Sequence, residues 1–194
     1  MNKDLIQFLY ANNAIQKGDF VGKSGFHYSI ETDVRNAFMT AEVSMYTSKL
    51  ILELLSKHGV PKLPFIGVPE TGTLLAFVLN QNQDLPSDYS INMLRSSEKN
   101  YQSSTNTVHT VLPIDERQEY ILIEDEVVTG KTLIKYLEIA LSAGLKIKYV
   151  VSIFGRDTAS AVKNCCALKG INYIELINTK ELERKILWDT GVKK

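Results

Sequence analysis

The residues with the clearest chemical potential lie in one stretch, YILIEDEVVTGKTL, at positions 120–133. Its first four residues are mainly apolar and predict a buried strand, after which come two carboxylates, Glu124 and Asp125. Open parallel sheets bind ligands at the carboxyl ends of their strands. A carboxylate pair at such an end can accept hydrogen bonds from the 2- and 3-hydroxyls of a ribose. The pair therefore predicts a sugar-binding site.

A phosphate-binding turn is predicted directly after the carboxylates, where polar residues open a helix near Leu133. Backbone N–H groups of the turn and the positive end of the helix can hold a phosphate, and threonine hydroxyls can add donors. Glycine in the turn permits a close approach of the ligand to the backbone. The predicted phosphate ligands are Val128, Thr129, Gly130, Lys131 and Thr132. Together with the carboxylates, they predict a site for a ribose 5-phosphate.

Two other interpretations of this stretch must be compared with the first. Gly130-Lys131-Thr132 imitates the end of a Walker A loop, but that motif needs a glycine five residues before Gly130, where Asp125 stands. An ATPase of the P-loop class is excluded on that point. The other interpretation is that Glu124 and Asp125 only solvate the end of a strand.

Strands and helices alternate along most of the chain. Strands are predicted at residues 64–68, 120–123, 149–154 and 173–177, and helices at residues 36–58, 73–80, 133–143, 158–168 and 180–187. A helix at 4–14 and an irregular β-containing segment at 20–35 precede them, and 124–132 are predicted to be a polar loop. The alternation predicts an α/β fold with a mostly parallel central sheet flanked by helices. We expect one domain over residues 1–194, with an N-terminal segment at 1–35 and the core at 36–194.

One polar segment interrupts this alternation. Residues 95–109 are rich in Ser and Asn and nearly free of aliphatic side chains. Loops longer than about 12–15 residues are uncommon in compact domains and are often lids over active sites. We therefore expect a long flexible lid that is poorly ordered without ligand; the alternative is a solvated hairpin tip.

Composition excludes several classes of protein. Lys+Arg and Asp+Glu each number 22, so no net charge draws the chain to nucleic acid or to an anionic membrane. The two cysteines, Cys165 and Cys166, are adjacent and predict reduced thiols in a cytoplasmic protein. No apolar run approaches the roughly 18 residues of a membrane span, and no signal-peptide pattern opens the sequence.

The stretch at 120–133 resembles the PRPP-binding motif of type I phosphoribosyltransferases, in which apolar residues precede an acidic pair and a Thr/Gly loop. Its TGKT is similar to the purine enzymes, although Val128 stands where those commonly carry an aspartate. Over roughly residues 4–187 the chain resembles the orotate branch. The matching segments, in chain order, are FVGKSGFHYSIETDVR at 20–35, GVPETGTLLA at 67–76, Arg95 with Lys99 in the polar segment, and Arg156.

The resemblance implies a fold, a reaction and partners. It implies the type I phosphoribosyltransferase fold, with residues 1–35 as a small hood and the polar segment as the lid. The implied reaction joins the ribose 5-phosphate of PRPP to a nitrogenous base and releases pyrophosphate, with orotate as the leading candidate for the base. Mg²⁺, held mainly through PRPP, is the implied cofactor. A homodimer is implied, with the lid of one subunit reaching the active site of the other.

The resemblance also implies roles for the candidate residues. The pair at 124–125 would orient the ribose hydroxyls, residues 128–132 would hold the 5-phosphate, and the lid would bring basic side chains to the reacting groups. The implied catalytic residues are Asp125, Glu124, Lys99 and Arg95. The loop implied to receive pyrophosphate on its backbone amides consists of Val68, Pro69, Glu70, Thr71 and Gly72. The residues implied to contact the base are Lys23 and Arg156.

The sequence departs from the family pattern at several of these positions. Thr71 replaces a common lysine of the pyrophosphate loop, and Ser96 and Tyr101 replace a basic residue and a histidine of the lid. The family usually carries a Ser-Pro and aromatic residues where this sequence has Tyr28, Ser29, Ile30 and Glu31. A carboxylate at Glu31 would repel an anionic base unless it pointed to solvent or paired with Arg35. Two alternatives therefore remain: transfer to a different base, and a non-catalytic regulator that senses PRPP or a nucleotide.

Overall fold

The computed structural model of the protein describes residues 3–21, 27–95, 110–112, 114–156 and 160–189. The chain opens with helix α1, Lys3–Ala11, followed by an antiparallel pair of strands, β1, Ile15–Val21, and β2, His27–Thr32. These elements form the predicted hood. Ile15 and Ile30 are 2% exposed and join the core below, so the hood is packed onto the rest of the chain.

The predicted helix at 36–58 is divided in the structure. A short 3₁₀ helix, Val34–Phe38, comes first, and helix α2, Ala41–Lys57, follows it. Thr40 has an extended backbone, and its Oγ1 accepts a hydrogen bond from the Val43 amide at 3.3 Å. Such an N-cap satisfies one of the free amides of the first helical turn, so α2 begins at Ala41.

The core is a four-stranded parallel sheet, in agreement with the predicted α/β fold. Its strands are β3, Phe65–Gly67; β4, Glu119–Val127; β5, Lys146–Gly155; and β6, Asn172–Asn178. They pair in the order β3-β4-β5-β6. The helices of this part are α3, Thr71–Gln81; α4, Lys131–Ser142; α5, Ser160–Leu168; and α6, Thr179–Asp189.

Helices cover both faces of the sheet. Ile121 and Ile123 of β4 belong to a core shared with α1, α2, α3 and α6, whereas Tyr120 and Leu122 belong to a second core shared with α4 and α5. All four side chains are at most 1% exposed. A strand that is buried on both faces has a continuous apolar run, and this is why the sequence YILI predicts one.

The prediction of a polar loop at 124–132 is wrong in its first half, because β4 continues to Val127. Glu124, Glu126 and Val127 pair with Ser152, Phe154 and Gly155 of β5. Pairing with an ordered neighbour holds these acidic residues extended, although carboxylates have a low intrinsic preference for strands. The carboxylates therefore project from a paired strand rather than from a loop.

The outer edge of β3 is covered by one side chain of α3. Asn80 is buried; its Oδ1 accepts from the Phe65 amide at 2.8 Å, and its Nδ2 donates to the Phe65 carbonyl at 2.9 Å. The same residue thus satisfies both backbone groups of Phe65. This contact fixes the end of α3 and the start of β3 relative to each other.

Two findings bear on the predictions made from composition. Cys165 and Cys166 are both free thiols, and Cys166 is fully buried in the core next to α4. No helix in the described part of the chain is long and apolar enough to cross a membrane.

Candidate active site

The predicted sugar, phosphate and pyrophosphate residues meet at the carboxyl ends of β3 and β4. A Cβ atom placed on Gly72, at the start of α3, would lie 2.5 Å from the Ile123 carbonyl oxygen and 3.5 Å from the Glu124 Cα. The Val68 amide donates to the same Ile123 carbonyl at 2.9 Å. Only glycine allows the turn after β3 to come this close to the acidic pair.

Glu124 and Asp125 differ in their surroundings. The Glu124 side chain is buried, whereas Asp125 is half-buried at the rim of the site. Burial, assisted by the hydrogen bond to Asp125 and its negative charge, raises the pKa of Glu124 to about 9. The Asp125 amide donates to Glu124 Oε1 at 3.1 Å, which opposes this rise only in part. Glu124 is therefore protonated at neutral pH when no ligand is present.

The proton on Glu124 gives the ligand-free protein a pH-dependent stability. A carboxyl whose pKa rises on folding contributes stability that is complete below its unfolded pKa, near 4.5, and is lost as the pH rises through about 9. We expect Glu124→Gln, which keeps an acceptor without a charge, to flatten the fall in melting temperature between pH 5 and 9. Melting curves of parent and variant at pH 4.5 and 8.5 measure this. Parallel pH profiles for the two proteins would contradict it.

The predicted phosphate turn forms an open helix start. Gly130 occupies the N-cap position of α4 with a left-handed φ of 77°, and no side chain caps the helix there. A Cβ at Gly130 would lie 2.4 Å from Val162 Cγ2, so glycine is required by both its φ and its packing. Val128, Thr129, Lys131 and Thr132 are all exposed, and the Lys131 amide makes only a long contact, 3.5 Å, with Thr129 Oγ1. The amides are thus accessible to an anion.

A second open helix start lies on the other side of the carboxylates. Residues 68–72 join β3 to α3, and the Pro69–Glu70 peptide bond is cis. Glu70 occupies the N-cap position of α3 and makes no side-chain hydrogen bond to the helix. Thr71 is half-buried, and Glu70 is exposed. The acidic pair therefore stands between two helix starts, each able to bind a phosphate group.

Arg156 lies beside this site, just beyond β5. Its amide donates to the Val127 carbonyl at 3.0 Å, which joins it to the end of β4. Its Nε donates to Glu126 Oε1 at 2.9 Å, and its guanidinium carbon lies 4.8 Å from the centre of the Tyr28 ring in the hood. A cavity of about 200 Å³ opens here between the hood and α6; it is lined by Tyr28, Ile30, Arg156, Thr179, Lys180 and Glu183.

The hood also brings a second arginine towards the carboxylates. Arg35 makes a two-point contact with Asp33, from Nε to Oδ1 at 2.7 Å and from Nη2 to Oδ2 at 2.8 Å. The Asp33 carboxylate and, at longer range, Asp125 raise the pKa of Arg35 above its ordinary value. Glu31 is exposed. A Glu31 carboxylate that points to solvent would not repel an anionic base.

The remaining predicted residues are not placed in the site by the structure. Lys23 and Lys99 lie outside the described residues, as do Ser96, Tyr101 and the segment predicted to be a lid. Arg95, at the start of that segment, donates from Nε to the Thr110 carbonyl at 3.0 Å, next to an antiparallel bridge between Leu94 and Thr110. The described residues on either side of the polar segment therefore lie next to each other.

Three features near the site were not predicted from the sequence: the role of Glu126, the stacking of Arg156 over Tyr28, and the pairing of Arg35 with Asp33. Glu126 follows the acidic pair directly, so a run of three carboxylates was a signal that could have been used. Its partner Arg156 is 30 residues away. Only the pairing of β4 with β5 shows that the two residues meet.

The chain is similar to known proteins over most of its length. No family model matches it. It is 24% identical over 164 residues to the orotate phosphoribosyltransferase of Methanosarcina mazei, covering 83% of this chain and 81% of that one. The enzyme of the same name from Methanococcus maripaludis is 24% identical over 184 residues and is covered to 94%, as is this chain. The crystal structure of orotate phosphoribosyltransferase from Aeropyrum pernix superposes with a TM-score of 0.68 at 21% identity, covering 97% of this chain and 99% of that one. The predicted phosphoribosyltransferase fold is therefore confirmed.

Proposed function

We propose that this chain is a phosphoribosyltransferase that transfers the phosphoribosyl group of PRPP to orotate, giving orotidine 5'-phosphate and pyrophosphate. The observation that carries the proposal is the position of Glu124 and Asp125 between two open helix starts. PRPP has a phosphate at one end of its ribose, a pyrophosphate at the other, and a vicinal diol between them. The order of groups in the site is the same: phosphate turn, carboxylate pair, pyrophosphate turn.

In the proposed reaction the bond between C1 of the ribose and a pyrophosphate oxygen breaks, and a bond from C1 to a base nitrogen forms. Positive charge develops on the ribose ring and negative charge on the leaving group. Asp125 and Glu124 hold the diol and face the developing positive charge, and the backbone amides of residues 70–72 receive the departing oxygens, because Pro69 has no backbone N–H and the Val68 amide is hydrogen-bonded to Ile123. Because pairing with β5 holds the β4 backbone extended at 124–127, the two carboxylates need little reorganisation when the reaction occurs.

Mg²⁺ is the cofactor that fits these residues. Magnesium is commonly held by one or two carboxylates together with substrate phosphates. Among the described residues no group of three or more His, Cys, Asp or Glu side chains could hold a metal by itself. The pair at 124–125 would contribute ligands, and PRPP would hold most of the metal's coordination shell. When bound, the metal would neutralise charge on the pyrophosphate.

Orotate is proposed as the base on two grounds. The curated relatives that match most of the chain are named for this substrate. Arg156 borders a cavity beside the end of β4, and an arginine can hold the carboxylate of a planar anionic base. Lys23 is proposed as a second base contact from the sequence resemblance alone.

The test is a turnover assay that follows pyrophosphate release with PRPP, Mg²⁺ and a panel of bases. We expect turnover with orotate and little with uracil, xanthine or hypoxanthine. Turnover with one of the other bases but not with orotate would change the substrate and leave the reaction class intact. PRPP binding without turnover on any base would favour the regulator instead.

A cytoplasmic location stays a prediction from the cysteine content.

We propose a homodimer in which Arg95 and Lys99 of one subunit act in the active site of the other. Helices α2 and α3 pack together and carry apolar side chains that are 41–60% exposed, which a second copy could cover. These side chains are Met45, Tyr46, Leu74 and Phe77.

Mixed dimers test the shared site. A subunit with Lys99→Ala and one with Asp125→Asn should each be nearly inactive, because each dimer then lacks one group at both sites. After mixing in equal amounts, half of the dimers are hybrids with one intact site in two, so activity should return to about a quarter of the parent value. Unmixed preparations at the same total concentration are the control. A monomer in sedimentation, or no recovery after subunit exchange, would contradict the proposal.

A further inference from the structure

The Arg156 side chain is held in a way that bears on which base the site accepts. Glu126 Oε1 takes the hydrogen of Nε at 2.9 Å, and the guanidinium stacks over Tyr28 at 4.8 Å. The Arg156 and Glu126 side chains are 29% and 22% exposed. The pair is thus mostly shielded from water, and its attraction is weakened less by solvent than that of a surface pair.

The contact with Glu126 uses only one edge of the guanidinium. An arginine has one N–H on Nε and four on its two Nη atoms. Within the described residues, the hydrogen bond to Glu126 is the only one made by the Arg156 side chain. The edge that carries both Nη atoms is therefore left for a ligand, and this edge can bind a planar carboxylate through two parallel hydrogen bonds.

The contact between Arg156 and Glu126 also lowers the net positive charge beside the cavity. An unpaired Arg156 would attract any anion that entered the cavity beside it. With Glu126 in contact, the opposite charges largely cancel at distances beyond the pair, so the electrostatic attraction for an anionic base is reduced. Glu126 therefore has two opposing effects on the binding of an anionic base. It orients the Arg156 guanidinium for a carboxylate, and it weakens the electrostatic attraction for that carboxylate.

We propose that Glu126 is the residue that sets the selectivity of the base site: it positions Arg156 for a carboxylated base and limits how tightly that base is held. This inference rests on the proposed function. It differs from the proposed role of Arg156 because Glu126 acts through the arginine and does not itself touch the base.

Two substitutions of Glu126 separate the effect of its charge from the effect of its hydrogen bond on the orientation of Arg156. Glu126→Gln keeps an acceptor for Nε and removes the negative charge, whereas Glu126→Ala removes both. We expect Glu126→Gln to lower the KM for orotate about fivefold, with kcat and the KM for PRPP within about twofold of the parent. Glu126→Ala should have an orotate KM about threefold above that of Glu126→Gln, because the guanidinium is no longer fixed.

The control base is uracil, which lacks the carboxylate, and the control variant is Glu119→Gln. Glu119 lies at the opposite end of β4 and pairs only loosely with Lys148, at 3.8 Å. Uracil is compared as an inhibitor of the orotate reaction, which needs no turnover of uracil. We expect its inhibition constant to change by less than about twofold in every variant, since a neutral base does not sense the charge of the pair. An orotate KM that is unchanged or higher in Glu126→Gln, or an equal change for both bases, would overturn the inference.

Calorimetry with orotidine 5'-phosphate separates this inference from the proposed function. If the parent protein releases no pyrophosphate with orotate, the proposed reaction fails. The inference still stands if Glu126→Gln then binds orotidine 5'-phosphate more tightly than the parent does. Equal, weaker or undetectable binding by the variant would overturn it as well.

Discussion

Asp125→Asn is expected to lower kcat/KM for PRPP about a hundredfold to a thousandfold while changing the melting temperature by less than about 2 °C. Asp125 is half-buried at the end of β4 and fills no core position. An amide can accept from only one of its two polar atoms, so the variant would hold the ribose diol more weakly and would face the positive charge on the ring without a negative one.

Asp84→Asn is the matched control for that experiment. Asp84 is fully exposed and lies 3.6 Å from Lys62, beside the amino ends of the strands. The same chemical change there should alter neither turnover nor stability. If Asp125→Asn left turnover intact and lowered the melting temperature, Asp125 would be a structural residue and the proposed site would lose its central group.

Arg156→Ala is expected to raise the KM for orotate by about 30-fold to 5,000-fold, since loss of one member of a partly desolvated charge pair typically costs about 2–5 kcal/mol. The KM for PRPP should change little. The effect has two sources, because the alanine removes the cation and also leaves the Glu126 carboxylate facing the incoming anion. The double variant Arg156→Ala with Glu126→Gln should therefore regain part of the lost affinity.

Lys148→Ala serves as the control for the arginine. Lys148 lies at the amino end of β5, is half exposed and forms a loose ion pair with Glu119 at 3.8 Å. Steady-state kinetics with orotate and with PRPP as the varied substrate measure all three variants. An orotate KM for Arg156→Ala within about threefold of the parent would remove Arg156 from the base site.

The parts of the site that lie close together in sequence could be predicted from it. YILI, the acidic pair and TGKT lie within one stretch at 120–132, and each has a local physical reason: burial on two faces, charge at a strand end, and a helix start with a glycine of positive φ. The turn after β3 was predicted in the same way. Its contact with Glu124 follows once the two strands are parallel neighbours.

The parts that depend on pairing between distant segments could not be predicted. The strand was expected to end before Glu124, because carboxylates rarely favour strands, yet β5 holds it extended as far as Val127. The same pairing brings Glu126 to Arg156, and no spacing in the sequence indicates that contact. Likewise, burial raises the pKa of Glu124 above that of an ordinary carboxyl, and the turn after β3, which approaches Glu124 at Gly72, contributes to that burial.

The amide of Asn80 has a consequence for how the protein behaves in a crowded solution. In the described part of the chain β3 is the last strand of the sheet, and the last strand of a sheet can recruit a strand from another molecule. At Phe65 the outward backbone N–H and C=O are already occupied by the Asn80 side chain. A foreign strand would have to displace two short, buried hydrogen bonds before it could add to this edge. The Asn80 side chain, which joins β3 to α3, therefore also hinders self-association through this edge of the sheet.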